Sequence, residues 1–297
     1  MEQHKDKAEA IKHAQEVLIP EDPAEMEPKQ TLDTGTPPIR AIAAANLGQW
    51  LASGWKDLMR APLALLHGVI VTAVGLLILA YSWAQPVASM VFISGFLLVG
   101  PIFAVGVNAM AYRLEKGGAR NVGTGLSAVR ELGAGLGAYA GVLIILFVVW
   151  ATVLWRWIGV LTVGELGAPA TIGEVFAAMM ASPQGLVSLF GVIAGGVVFA
   201  LAVFALSVVT LPAMLDRQRG FVDAVAVSLK AMRTNFGTLL LWGLIITALF
   251  AVSVATALIA LIVIFPWLGF AMWHGYRDVV EAGADSRGTK KPHPTHG

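Results

Sequence analysis

The chain has 297 residues, of which 57% are apolar and 13% charged, against about 25% charged in an ordinary soluble domain. Mean hydropathy is +0.74, and a soluble fold of this size has too much surface to hide that apolar content. The net charge of +1 gives no field that would favour nucleic acid as a partner, and the absence of cysteine excludes disulfides, thiolate metal sites and cysteine nucleophiles.

Residues 1–40 open with a polar segment rich in acids and proline, including Glu21, Asp22, Pro23, Glu25, Glu27 and Pro28. Such a composition buries too little to offset its ordering entropy, so it reads as a disordered cytoplasmic tail, with a frayed helix over 5–17. No secretory h-region follows a positively charged start, and the first long apolar run, near Pro62, reads as a retained span. Residues 283–297 form a second tail, where His293 and His296 read as solvated.

Between the tails, residues 41–282 read as a six-span helical bundle, since a span needs about 20 apolar residues. The expected spans are 62–81, 86–112, 136–155, 184–212, 237–256 and 258–279. The last two share an uncharged run from Gly237 to Tyr276, 40 residues long, which fits two short spans joined by a turn near Ser253–Thr256. Charge parity supports the even count, because lysine and arginine favour the cytoplasmic flanks. With six spans, 19 of the 20 basic residues fall on one side and only Arg156 on the other. The expected location is therefore a bacterial inner membrane with both termini in the cytoplasm.

Local signals mark the helix ends. Gln85-Pro86 and Ser182-Pro183 each place proline at a helix start. Asn235 is a candidate cap for the fifth span, and Thr171-x-x-Glu174 is a capping box opening a short amphipathic helix on the external side. Three further amphipathic segments, 41–60, 124–133 and 220–235, each precede a pair of spans. In the first, Leu47, Leu51, Trp55 and Leu58 share one face, opposite Gln49, Ser53, Lys56 and Arg60. Every returning span carries proline, at Pro101, Pro212 and Pro266. The chain thus reads as an all-α membrane protein built from three repeats of an amphipathic helix plus a transmembrane hairpin. Gly133, Gly137 and Gly141, and again Gly191 and Gly195, recur at the spacing that lets helices approach closely, which predicts packing within the bundle.

Several segments resemble a bacterial family of predicted integral membrane proteins known as domain of unknown function 2189. They are Gly54-Trp55-Lys56-Asp57-Leu58 with Pro62, and Leu211-Pro212-Ala213-Met214-Leu215-Asp216-Arg217. Asp223-Ala224 with Ser228, Ala231 and Asn235 follow, then Phe265-Pro266-Trp267-Leu268-Gly269 and Trp273-His274-Gly275-Tyr276-Arg277. The resemblance covers roughly residues 45–280. It implies a multi-pass inner-membrane protein and supplies no activity. The family often carries a second histidine where this chain has Phe270.

Ionisable and polar groups inside a membrane are costly and default to functional candidates. Here they are His67, Asn108, Asp216, Arg217, His274 and Tyr276, all expected in the cytoplasmic half of the bilayer as one polar cluster. The plainer reading of the same residues is snorkelling and interhelical hydrogen bonding at helix ends. His67 and His274 could clamp a haem or metal from two helices, but Phe270 removes the i, i+4 partner of His274, so no cofactor and no metal is expected. P-loop, zinc-protease and serine-hydrolase motifs are absent, and no span centre carries Asp, Glu, Lys or Arg. These absences disfavour an enzyme and an ion-coupled carrier. The expected function is a non-catalytic protein that binds a membrane-protein partner or a second copy of itself, or that organises the lipid bilayer. The alternatives are a transporter or channel for a small neutral or amphipathic solute, and a cofactor-binding redox subunit.

Overall fold

The computed structural model describes residues 37–118, 123–165, 171–217 and 219–280. The two tails read from composition, with the helix over 5–17, lie outside these residues except for Pro37–Arg40. Among the described residues the fold is all helical, and the one extended pairing is an isolated bridge between Ile39 and Val280. That bridge, with Arg40 N–H donating to the Val279 carbonyl at 2.9 Å, ties the last residues of the expected tail to the end of the final helix.

The helices follow in chain order: α1 (Ala45–Arg60), α2 (Leu65–Ser82, led by a 3-10 turn at Pro62–Ala64), α3 (Pro86–Phe103), α4 (Val105–Glu115) and α5 (Gly123–Glu165). Then come α6 (Ile172–Ala181), α7 (Pro183–Ser207), α8 (Thr210–Arg217), α9 (Phe221–Thr234), α10 (Phe236–Ala255) and α11 (Leu261–Val279). Five stretches are long and apolar enough to cross a membrane: Pro62–Ser82, Pro86–Glu115, Gly125–Ile158, Pro183–Asp216 and Phe236–Ala255. The sixth expected span coincides with α11, which falls outside that set. Its first turns are apolar, but its last carry His274, Arg277 and Asp278.

The breaks have local causes. Pro101 cannot donate a helical hydrogen bond, and α3 gives way to α4 at Ala104. Gly133, with φ +45°, interrupts α5 and separates its amphipathic start from the span, close to the expected boundary. Pro86 and Pro183 stand at helix starts, and the Thr171 hydroxyl accepts from Glu174 N–H at 3.2 Å, as a capping box requires.

Three expectations are corrected. The buried face of α1 is Leu47, Trp50, Gly54 and Leu58, rotated from the expected stripe, and Trp55 is 45% exposed. The rotation follows from α11, which packs along α1: a β-carbon at Gly54 would lie 2.5 Å from the Ala271 nitrogen, so only glycine admits that approach. Asn235 does not cap α10. Its Oδ1 accepts from Ile42 N–H at 2.8 Å and its Nδ2 donates to the Arg40 carbonyl at 2.9 Å, pinning the segment before α1. The glycine series divides as well. Gly191 and Gly195 pack against Trp157 and Trp150, whereas nothing lies within 4 Å of a β-carbon at Gly133, Gly137 or Gly141.

Candidate functional site

The C-terminal half of α11 carries its polar residues on two faces, because residues four apart align on a helix. Trp273 and Arg277 face α4 and α8. Arg277 donates two 2.7 Å hydrogen bonds to the two oxygens of Asp216 and a third, at 2.9 Å, from Nε to Glu115. The Tyr276 hydroxyl donates to Asp216 at 2.8 Å, and Trp273 Nε1 donates to Glu115 at 2.6 Å. The guanidinium also lies 5.1 Å from the Trp273 ring. His274 and Asp278 face α1. His274 Nε2 lies 2.7 Å from Asp57, and Asp278 accepts from Trp50 Nε1 at 2.6 Å.

Of the six candidate residues, the structure therefore brings Asp216 and Tyr276 together and sends His274 to a different partner on another helix. The Arg217 side chain lies outside what is described. His67 sits apart, with its ring against Gly106 and Gly125 and its Nδ1 buried without a hydrogen-bond partner. Among the described residues no three His, Asp or Glu side chains converge as metal ligands would. Asp216 and Glu115 are each held by more than one directed donor from α11, an arrangement that ties α4 and α8 to it.

Asn108 belongs to a different feature. A cavity of about 560 Å³ lies between α3, α4, α7, α8, α10 and α11. That is within the range of small-molecule sites, roughly 300–1,000 Å³. Its wall is apolar, with Phe96, Ile193, Phe204, Leu244, Phe250 and Phe265 among the lining side chains. The two helix breaks, at Pro101–Ala104 and at Val208, open onto it. Asn108 is 2% exposed, and its Nδ2 donates back to the Ala104 carbonyl at 2.9 Å. Its Oδ1 is buried with no hydrogen-bond partner, and the buried Ser207 hydroxyl lies beside that of Tyr139. Both Asn108 and Ser207 line the cavity. A buried acceptor without a donor is costly, so Asn108, with Ser207 in the same lining, marks where this otherwise apolar wall is polar. Glu115, Asp57 and Asp278 do not stand out in the sequence, since charges at helix ends are ordinary. The i, i+4 pairing of 273 with 277 and of 274 with 278 is the signal that separates the two faces.

Long apolar helices, a charge-free bundle interior and polar networks confined to helix ends define an integral membrane protein. Residues 88–216 match the family model described as "Predicted integral membrane protein (DUF2189)", a shorter stretch than the resemblance read from the motifs. No curated protein and no solved structure matches the chain.

Proposed function

We propose that this chain is a non-catalytic protein of a bacterial inner membrane, with both termini in the cytoplasm, that binds an amphipathic, lipid-like molecule whose head donates a hydrogen bond. The observation that carries this reading is the apolar cavity with the unpartnered Oδ1 of Asn108 in its wall. An apolar wall with so few polar groups suits a chain with a hydroxyl or amide N–H head. It does not suit a hydrophilic solute, which would need many partners. The orientation rests on the basic residues. Arg60, Arg113, Lys116, Arg130, Lys230, Arg233 and Arg277 flank the same ends of the apolar helices, and Arg156 stands at the other.

A long-chain alcohol bearing a diazirine tests the reading in purified, nanodisc-embedded protein. Crosslinks to cavity-lining residues are expected in the wild type. Asn108→Leu keeps the number of side-chain heavy atoms and removes the acceptor, so labelling at sub-saturating probe should fall about tenfold, the equivalent of one hydrogen bond in a dry site. The methyl ether of the same probe, which cannot donate, should label the wild type as weakly as the alcohol labels the variant. Equal labelling by both probes of the wild type, Asn108→Leu and the cavity-filling Ala200→Phe would refute the site.

A further inference from the structure

We infer that α10 and α11 form a re-entrant hairpin that enters from the cytoplasmic side and turns near the bilayer midplane, so that four segments cross fully and the cavity belongs to the cytoplasmic leaflet. Three neighbouring helices serve as depth rulers. The segment Pro62–Ser82 has 21 residues, about 31 Å at 1.5 Å per residue, which is one hydrocarbon thickness. Tyr81 and Trp83, 90% and 75% exposed, mark its outer end as an interfacial aromatic belt. Thr72 stands halfway along, and its hydroxyl donates at 3.3 Å to the carbonyl of Leu258, in the α10–α11 turn. One helical turn below, Gly68 faces the Ile262 carbonyl. The turn is therefore level with the middle of α2, not with its end.

By the other rulers, too, the hairpin ends short of the outer face. Phe250 stacks on Phe96 with ring centroids 6.0 Å apart, and Phe96 lies ten residues, about 15 Å, inside the outer end of α3 at Pro86; Ala255 is five residues, about 8 Å, beyond Phe250, so α10 stops about 7 Å short of that end. Gly243 packs against Phe204, which lies 21 residues, about 31 Å, inside the outer end of α7 at Pro183. From Gly243 to Ala255 is only about 18 Å, so the hairpin again stops well short.

The turn has the chemistry of that depth. Val252, Val254 and Ile259 are exposed, and no tryptophan, tyrosine or charged residue lies between Gly243 and Pro266. By contrast, the outer ends of α2 and α5 carry Tyr81, Trp83, Trp155, Arg156 and Trp157. Non-helical backbone in hydrocarbon must have its polar groups satisfied by the protein itself. Here Leu258 N–H donates to the Ser253 carbonyl at 2.6 Å. The Thr256 hydroxyl donates to the Ser253 carbonyl at 3.0 Å and accepts from Ala260 N–H at 3.2 Å, and Thr72 supplies the Leu258 carbonyl. Ala257 and Leu258 hold φ of +51° and +67° without a glycine or asparagine, a conformation that persists only where such contacts fix it. The same placement sets Gly275 about 25 Å below Leu258, beyond the hydrocarbon, which explains why His274, Arg277 and Asp278 are tolerated on α11.

For the ligand, and resting on the amphiphile reading above, the consequence is entry from the cytoplasmic leaflet. The cavity wall formed by α10 and α11 ends at the hairpin turn, so the site offers no path across the bilayer.

The chain has no cysteine, so single-cysteine variants report without further changes. Ile259→Cys and Val254→Cys sit on exposed side chains of the hairpin, with Gln85→Cys as the outer control and Arg233→Cys as the cytoplasmic one. A membrane-impermeant maleimide is applied to spheroplasts and to inside-out vesicles of cells producing the full chain. Gln85→Cys is expected to react from outside and Arg233→Cys from the cytoplasmic side. Ile259→Cys and Val254→Cys are expected to react from neither side, and fully once the membrane is dissolved in SDS. Reaction of the hairpin cysteines from outside, at the rate of Gln85→Cys, overturns the re-entrant hairpin. Reaction from the cytoplasmic side alone supports the hairpin, since the turn is then reached from the side by which it enters.

Discussion

Arg277→Ala is expected to destabilise the purified protein by about 3 kcal/mol, the low end of what breaking a buried ion pair costs. The side chain of Asp216 is 10% exposed and that of Arg277 27%, so their bidentate pair is largely withdrawn from solvent. Removing the guanidinium leaves Asp216 with a nearly buried charge and one fewer cationic donor, while Glu115, 41% exposed, recovers water and loses little. Arg277→Lys should restore less than half of the loss. A single ammonium cannot reproduce two parallel bonds to Asp216 together with a third to Glu115. The measurement is thermal unfolding in detergent, followed through the tryptophans. The double variant Asp216→Asn/Arg277→Ala should cost clearly less than the two single losses added together, since either change alone breaks the same interaction. Additive losses, or an Arg277→Ala effect within about 0.5 kcal/mol, would show that the network is surface decoration of the kind exposed ion pairs usually are.

Much of this framework is legible in the sequence because hydropathy, proline and glycine act locally. Pro86, Pro183 and Gly133 mark helix boundaries for reasons that need no tertiary partner. What sequence does not carry is register between helices. The uncharged run from Gly237 to Tyr276 reads equally as two full spans or as a hairpin, and the depth of its turn depends on which residue of α2 meets Leu258. The cavity is hidden for the same reason. Asn108 stands out as a polar residue in a span, but the volume beside it needs two helix breaks at one depth. Each break has a local signal, Pro101 at one and Pro212, four residues after Val208, at the other, but nothing local says that the two face one volume. The glycine series shows the limit from the other side. Gly133, Gly137 and Gly141 have the spacing of a packing seam and no neighbour to pack against, while Gly54 and Gly68, outside any such series, make the closest approaches to α11.

That contrast supports the second large prediction. Gly68→Ala is expected to cost at least about 3 kcal/mol, at or beyond the upper end of ordinary overpacking. The added β-carbon would fall inside the van der Waals shell of the Ile262 carbonyl oxygen, with the Ile262 carbonyl carbon 2.7 Å away and its Cα 2.8 Å away. Because the obstacle is backbone, trimming the side chain by Ile262→Ala cannot relieve it. α2 and α11 must move apart, and the Thr72–Leu258 hydrogen bond one turn further on goes with them. Gly75→Ala provides the internal comparison. Its β-carbon would meet the Leu258 side chain at 2.9 Å, an obstacle that can rotate or be removed, so Leu258→Ala should recover part of the loss at that position. Gly137→Ala, with nothing within 4 Å, should be neutral or stabilising by up to about 1 kcal/mol through helix propensity alone. All three are read by the same unfolding measurement in one detergent. If Gly68→Ala is as mild as Gly137→Ala, α2 and α11 are not in contact at this register. The depth assigned to the hairpin turn would then lose its main ruler, whatever the stability of the bundle as a whole.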